Sequence, residues 1–159
     1  MTARGEFRPD LLGPLLCDLA AEGSAAEIPV RGISMHPWLR DGDRVRVIAA
    51  AASDVRVGDI VVRVHATGPV VHRFVGWWRT RHEWRMLTKG DGAPRFDPPL
   101  APAELVGRAV ALLRDGQVRR LDGAGMRLRG RGRAAVSLVA GLIRETWDRA
   151  WCRPRPPAG

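Results

Sequence analysis

At 159 residues and a net charge of +9, the chain is one ordinary domain, long enough to bury a core without disulfide or metal staples. Its two cysteines, Cys17 and Cys152, lie near opposite ends with no metal-ligand spacing; this excludes a disulfide framework or zinc ribbon and reads as free thiols in a reducing compartment. No stretch reaches the roughly 18 uninterrupted apolar residues of a membrane span, and no cofactor or metal is expected. The charge is uneven: residues 108–159 carry 12 arginines against 4 acidic groups, and residues 1–107 net only +1. Such a tail attracts anionic lipid or nucleic acid. Lys89 is the one lysine among 26 basic residues, a bias that genomic base composition also produces, and nucleic acid ranks behind a membrane surface as a partner.

Residues 9–22 read as an amphipathic helix starting at Asp10, or at Gly13 with Pro14 in its first turn. Leu11, Leu12, Leu15, Leu16 and Leu19 form its apolar stripe and Gly23 a stop. Pro14 and Asp18 interrupt the run, which makes it a poor secretory h-region. The expected location is the cytoplasm, with peripheral attachment to a membrane left open. The lead, residues 1–27, is also too short for a helix-turn-helix module.

Next, a β-type run with Ile28, Val30 and Ile33 enters the turn Gly32-Ile33-Ser34-Met35-His36-Pro37. An Asp41-Gly42-Asp43 turn then launches a strand with alternating Val45 and Val47. A serine at a Gly/Pro-framed bend can present its hydroxyl and its backbone N–H together, as a nucleophile beside an oxyanion hole requires. The plainer reading is a turn serine bonding its own backbone. The whole segment, Gly-x-Ser-Met-x-Pro-x-Leu-x-x-Gly-Asp-x-Val, resembles the nucleophile box of type I signal peptidases and of the wider superfamily that includes the self-cleaving repressors of the SOS response. The resemblance implies Ser34 as nucleophile, with Gly32, Met35 and Pro37 supporting its turn.

Small residues from Ala49 to Val57 form a loop, and Gly58-Asp59 opens a strand from Ile60 to Val64, again similar to a second Gly-Asp turn in signal peptidases. Val70 to Trp78 is the next strand. On a period of two, His72 shares its face with Val70, Phe74 and Gly76. A strand histidine alone is more often a surface or satisfied core residue, but His72-Arg73-Phe74-Val75-Gly76 resembles the branch of archaea and the endoplasmic reticulum, where His replaces the bacterial Lys base. His36, His65 and His82 carry no such context.

Glu83 to Thr88 reads as a short strand leading into Lys89-Gly90-Asp91-Gly92 and on to Asp97. This is similar to that branch's third box, with Gly92 standing where Asn is usual. The resemblance makes Asp97 the third member of the constellation. Asp91 reads either as a turn cap or as a supporting residue of the site. Leu105–Leu113 and Gln117–Leu121 form a hairpin around Asp115-Gly116, and Leu105 to Val110 resembles the strand that closes the peptidase barrel. The resemblance spans about residues 28–121.

Beyond it, the basic segment Arg127–Arg133 precedes a helix from about Arg133 to Trp151, with Ala135, Leu138, Val139 and Leu142 on its apolar side. That pattern fits an interfacial membrane helix or a helix packed on the domain. The expected organisation is an N-terminal lead (1–27), a mainly β catalytic domain built as a curled sheet or partial barrel (28–125), and a basic C-terminal helix (126–159).

The implied chemistry assigns Ser34 as nucleophile, His72 as base, Asp97 as its orienter and the Ser34 N–H as oxyanion donor. Gly32 replaces the side-chain hydroxyl that some bacterial relatives place there. Lys89 is the rival base, disfavoured because Asp91 nearby supports its charged form. A His base loses activity as pH falls through about 6 to 7, whereas a Lys base gives a more alkaline profile. The leading reading is a serine endopeptidase that cuts a precursor, leader or signal-like peptide after small residues, a preference the family implies. The alternatives are a self-cleaving repressor-type domain and a non-catalytic module that binds lipid or nucleic acid.

Overall fold

The computed structural model describes residues 24–65, 68–122 and 124–151, together with Pro14, Asp18 and Glu22. The leucines of the helix expected over residues 9–22 lie outside the described residues. Seven strands follow in order: β1 (Ala26–Pro29), β2 (Arg44–Ala49), β3 (Ile60–His65), β4 (Gly68–Arg79), β5 (Trp84–Lys89), β6 (Leu105–Arg114) and β7 (Gln117–Arg120), and then the helix α1 (Ala124–Trp151). They build one open antiparallel sheet in the order β1-β2-β6-β3-β4-β5. Strand β6 pairs with β2 along one edge; its other edge serves β3 through Leu105–Arg108 and β7 through Ala111–Arg114.

Alternating apolar residues decide the faces. On one side, Ile28, Val45, Val47, Ile60, Val62, Val71 and Leu112 bury together with Met35 and Leu39 of the turn after β1. On the other side of β3 and β4, Val61 and Phe74 pack with Val55, Met86 and Leu100. Irregular register at Arg46/Val47, Val62/Arg63 and Phe74/Gly76 interrupts the ladders, and such bulges bend a sheet. The last of them corrects one expectation. His72 does share its face with Phe74, but Gly76 pairs with Leu87 while Phe74 pairs with Thr88, so the extra residue at Val75 turns Gly76 to the opposite face.

The β6–β7 turn matches the sequence reading. Asp115 and Gly116 have φ of 51° and 72°, the pair of positive values that a two-residue primed turn demands.

Helix α1 starts at Ala124 rather than near Arg133, so the basic segment is its first part. Gly130 is where the helix docks: a Cβ there would lie 2.7 Å from the Gly58 carbonyl oxygen. The buried stripe is Gly130, Ala134 and Gly141, whereas Ala135, Val139 and Leu142 of the expected apolar side are exposed. Contact through backbone favours glycine and alanine at the docked face. Among the described residues, no helix is long and apolar enough to cross a membrane.

Candidate active site

The turn between β1 and β2 is built to hold one residue still. Asp41 accepts the Gly32 N–H through Oδ1 at 2.7 Å, and Gly32 takes a φ of 77°, which suits glycine. Asp43 accepts the Arg40 N–H at 2.7 Å and is gripped by both arms of Arg114, Nε at 2.8 Å and Nη2 at 2.6 Å. The bidentate Arg114 bond keeps the Asp43 carboxyl below its ordinary value, with burial opposing. Met35, 2% exposed, plugs the turn into the core. Pro37 follows a cis peptide bond.

A second turn presses on the first. The Gly92 N–H donates to the Ser34 carbonyl at 2.8 Å. A Cβ at Gly90 would fall 2.4 Å from that oxygen, and one at Gly92 would meet the His36 and Ile33 carbonyls at 3.0 Å. Glycine at position 90 is therefore the residue this close approach admits, and position 92 is tight. Among the described residues the Ser34 N–H has no hydrogen-bond acceptor, while the Gly32 N–H is already taken.

Strand β4 and the segment after β5 bring in the other two groups. The Ser34 hydroxyl lies 2.9 Å from His72 Nε2, and His72 Nδ1 lies 2.6 Å from Asp97 Oδ2. The two partner side chains are each 13% exposed. Asp97 is ionised: burial raises its pKa, but the hydrogen bond and charge of His72, the Thr88 hydroxyl bond and the Arg63 charge bring it below the ordinary 3.8. A carboxylate only accepts, so Nδ1 carries the ring proton and Nε2 of the neutral imidazole is the acceptor for the Ser34 O–H. That is the arrangement in which a base can take a proton from a hydroxyl. Ser34, His72 and Asp97, expected together, meet.

The remaining candidates stand elsewhere. Lys89, 3% exposed, is buried, and its Nζ is 3.4 Å from the neighbouring Gly90 carbonyl oxygen rather than on the serine. It pairs with Arg73 across the sheet while Thr88 pairs with Phe74, which puts it on the face away from His72. Burial pushes its pKa down, partly offset by Asp91. Asp91 does not touch the serine, histidine or Asp97; it accepts Arg73 Nε at 2.8 Å and Nη2 at 2.6 Å. Arg73 also donates to the Gly58 carbonyl at 2.7 Å and lies 5.6 Å from the centre of a Trp38 ring. This buried arginine ties three segments behind the site. Sequence reasoning passed over it as part of a phrase; strand alternation sets it on the face opposite His72, and its burial there is seen only in the fold. Among the described residues, no group of three His, Cys, Asp or Glu side chains could hold a metal ion.

No family model matches the chain, and no curated protein matches its sequence.

Proposed function

We propose that the chain is a serine endopeptidase of the signal-peptidase type that works through Ser34, His72 and Asp97. The observation that carries this reading is the hydrogen-bonded relay from the Ser34 hydroxyl through the His72 ring to the Asp97 carboxylate, 2.9 and 2.6 Å long. His72 Nε2 takes the Ser34 proton as Oγ attacks the peptide carbonyl carbon. The free Ser34 N–H receives the oxyanion, and the imidazolium returns the proton to the leaving amine; water then releases the acyl group by the same route. An open antiparallel sheet with bulged ladders supports this reading. The substrate is an extended precursor, leader or signal-like peptide, and the preference for small residues before the cut comes from the motif resemblance.

The test is incubation of the purified protein with a peptide library, with products read by mass spectrometry. Ser34→Ala, His72→Ala and Asp97→Ala should each lower turnover, by about 10⁴ to 10⁶ for the first two. Cleavage of the chain itself, with none of added peptides, would favour the self-cleaving repressor reading. An inert parent that binds lipid or nucleic acid in a salt-sensitive way would favour the non-catalytic module.

A membrane-surface location has its own support. Trp77, Trp78 and Trp84 are 43%, 49% and 54% exposed on one hairpin, and Val136, Val139 and Ile143 are exposed on α1. Arg79 stacks over Trp84 at 5.7 Å, and Arg129 and Arg131 are exposed. Indoles beside arginines suit the headgroup region of an anionic bilayer. Co-sedimentation with anionic but not zwitterionic vesicles, lost in Trp77→Ser/Trp84→Ser, is the expected result; indifference to both vesicle types would remove the membrane from the reading.

A further inference from the structure

The relay stops at Asp97, and what fixes Asp97 is not among the motif residues. Its segment after β5 is irregular, so the carboxylate needs an external hold to face the imidazole. Two contacts come from one residue of β5. The Asp97 N–H donates to the Thr88 carbonyl at 3.0 Å, and the Thr88 hydroxyl donates to Asp97 Oδ2 at 2.6 Å. That oxygen is the one His72 Nδ1 binds. Thr88 pairs with Phe74 across the sheet and is 1% exposed, so its rotamer is locked by packing. The other carboxylate oxygen faces Arg63 Nη2 at 3.9 Å, a charge near it but beyond hydrogen-bond reach.

We propose that Thr88 is a positioning residue of the catalytic relay: its buried hydroxyl aims the Asp97 carboxylate at His72. The proposal rests on the peptidase reading for its kinetic consequence alone. A carboxylate in this place has two rotatable bonds and two equivalent oxygens. With one oxygen shared by two donors, the plane of the carboxylate and its distance to Nδ1 are both set, which keeps the Nε2 lone pair on the serine. Removing the hydroxyl while keeping the shape leaves Asp97 tethered by its backbone and free to rotate. Reacting groups displaced by about 1 Å can lose on the order of 100-fold in rate.

The test compares the full chain with Thr88→Val, which keeps the shape and the backbone bond, and Thr88→Ser, which keeps the hydroxyl. One readout needs no substrate: the Nδ1 proton of His72, held against a carboxylate, gives a far-downfield NMR resonance, assigned by its loss in His72→Ala. The parent and Thr88→Ser should show it and Thr88→Val should not, with all three melting cooperatively at similar temperatures. On the best library peptide, Thr88→Val should lower kcat by about 10- to 100-fold with little change in KM, and Thr88→Ser should recover most of it. A parent spectrum without the resonance overturns the proposal, as does Thr88→Val retaining it or retaining full turnover. Loss in both variants overturns it too, because the hydroxyl would then not be the determinant. A parent that shows the resonance but cuts no peptide refutes the peptidase reading and leaves Thr88 to be decided by the spectra.

Discussion

Asp43 and Lys89 show how the same burial acts with opposite effect at single residues. The Asp43 carboxylate is 4% exposed and bonded to both arms of Arg114, which also donates to the Trp38 carbonyl at 3.1 Å. Removing one member of a buried ion pair leaves the other charge without compensation. Asp43→Ala should therefore cost about 3 kcal/mol, measured by urea denaturation, and should loosen the Ser34 turn. Lys89 is the reverse case, an ammonium whose burial outweighs its partners and lowers its pKa from 10.5. Between that lowered value and 10.5 the unfolded chain binds the extra proton, so stability rises with pH across that interval, and below it the buried ammonium is a constant cost. Lys89→Met should raise the melting temperature at pH 7 and leave turnover unchanged. Collapse of turnover in a folded Lys89→Met protein would reinstate this lysine as the base.

Between whole elements, the decisive contacts are close approaches at glycine. Helix α1 meets the sheet at Gly130 over the Gly58 carbonyl, and a Cβ at Gly141 would lie 2.4 Å from ring carbons of Phe96. In an exposed helix, Gly→Ala gains up to about 1 kcal/mol. Here the added carbon strikes main chain, which cannot swing aside, so Gly130→Ala should instead destabilise by about 1 to 3 kcal/mol. Thermal melting gives the sign directly, and a rise in melting temperature would mean that α1 does not sit on the Gly58 turn. The helix face left outside carries Val136, Val139 and Ile143, and of these only Val139 belongs to the apolar side expected from the sequence. The strands, in contrast, were legible: Val45 and Val47, Ile60 and Val62, and the Asp115-Gly116 turn announce period-two faces and a tight reversal without reference to anything distant.

For the molecule as a whole, acid should be the sensitive direction. Asp43 and Asp97 both titrate below 3.8 in the fold, the first held by Arg114, the second brought down by His72, Thr88 and Arg63 against the effect of burial. As pH falls, the unfolded chain takes up these protons first. The stability contributed by the pair is complete above about pH 5 and is lost progressively as pH drops through the folded values. The melting temperature should hold from pH 7 to about 5 and then decline, and Asp43→Asn should shrink the acid-dependent part; a parent profile flat down to pH 2 would contradict this. Residue types and local spacing alone determined the mainly β character and the Ser34 turn, because turn chemistry and strand alternation act over a few residues; His72 and Asp97 became candidates only through the motif resemblance. The hydrogen-bonded distances among those three, the Arg73–Asp91 pair behind them, the hold of Thr88 on Asp97 and the glycine seam under α1 were decided only by tertiary structure. Each joins positions far apart in the chain, and a hydrogen bond or close contact depends on tenths of an ångström that no local pattern encodes.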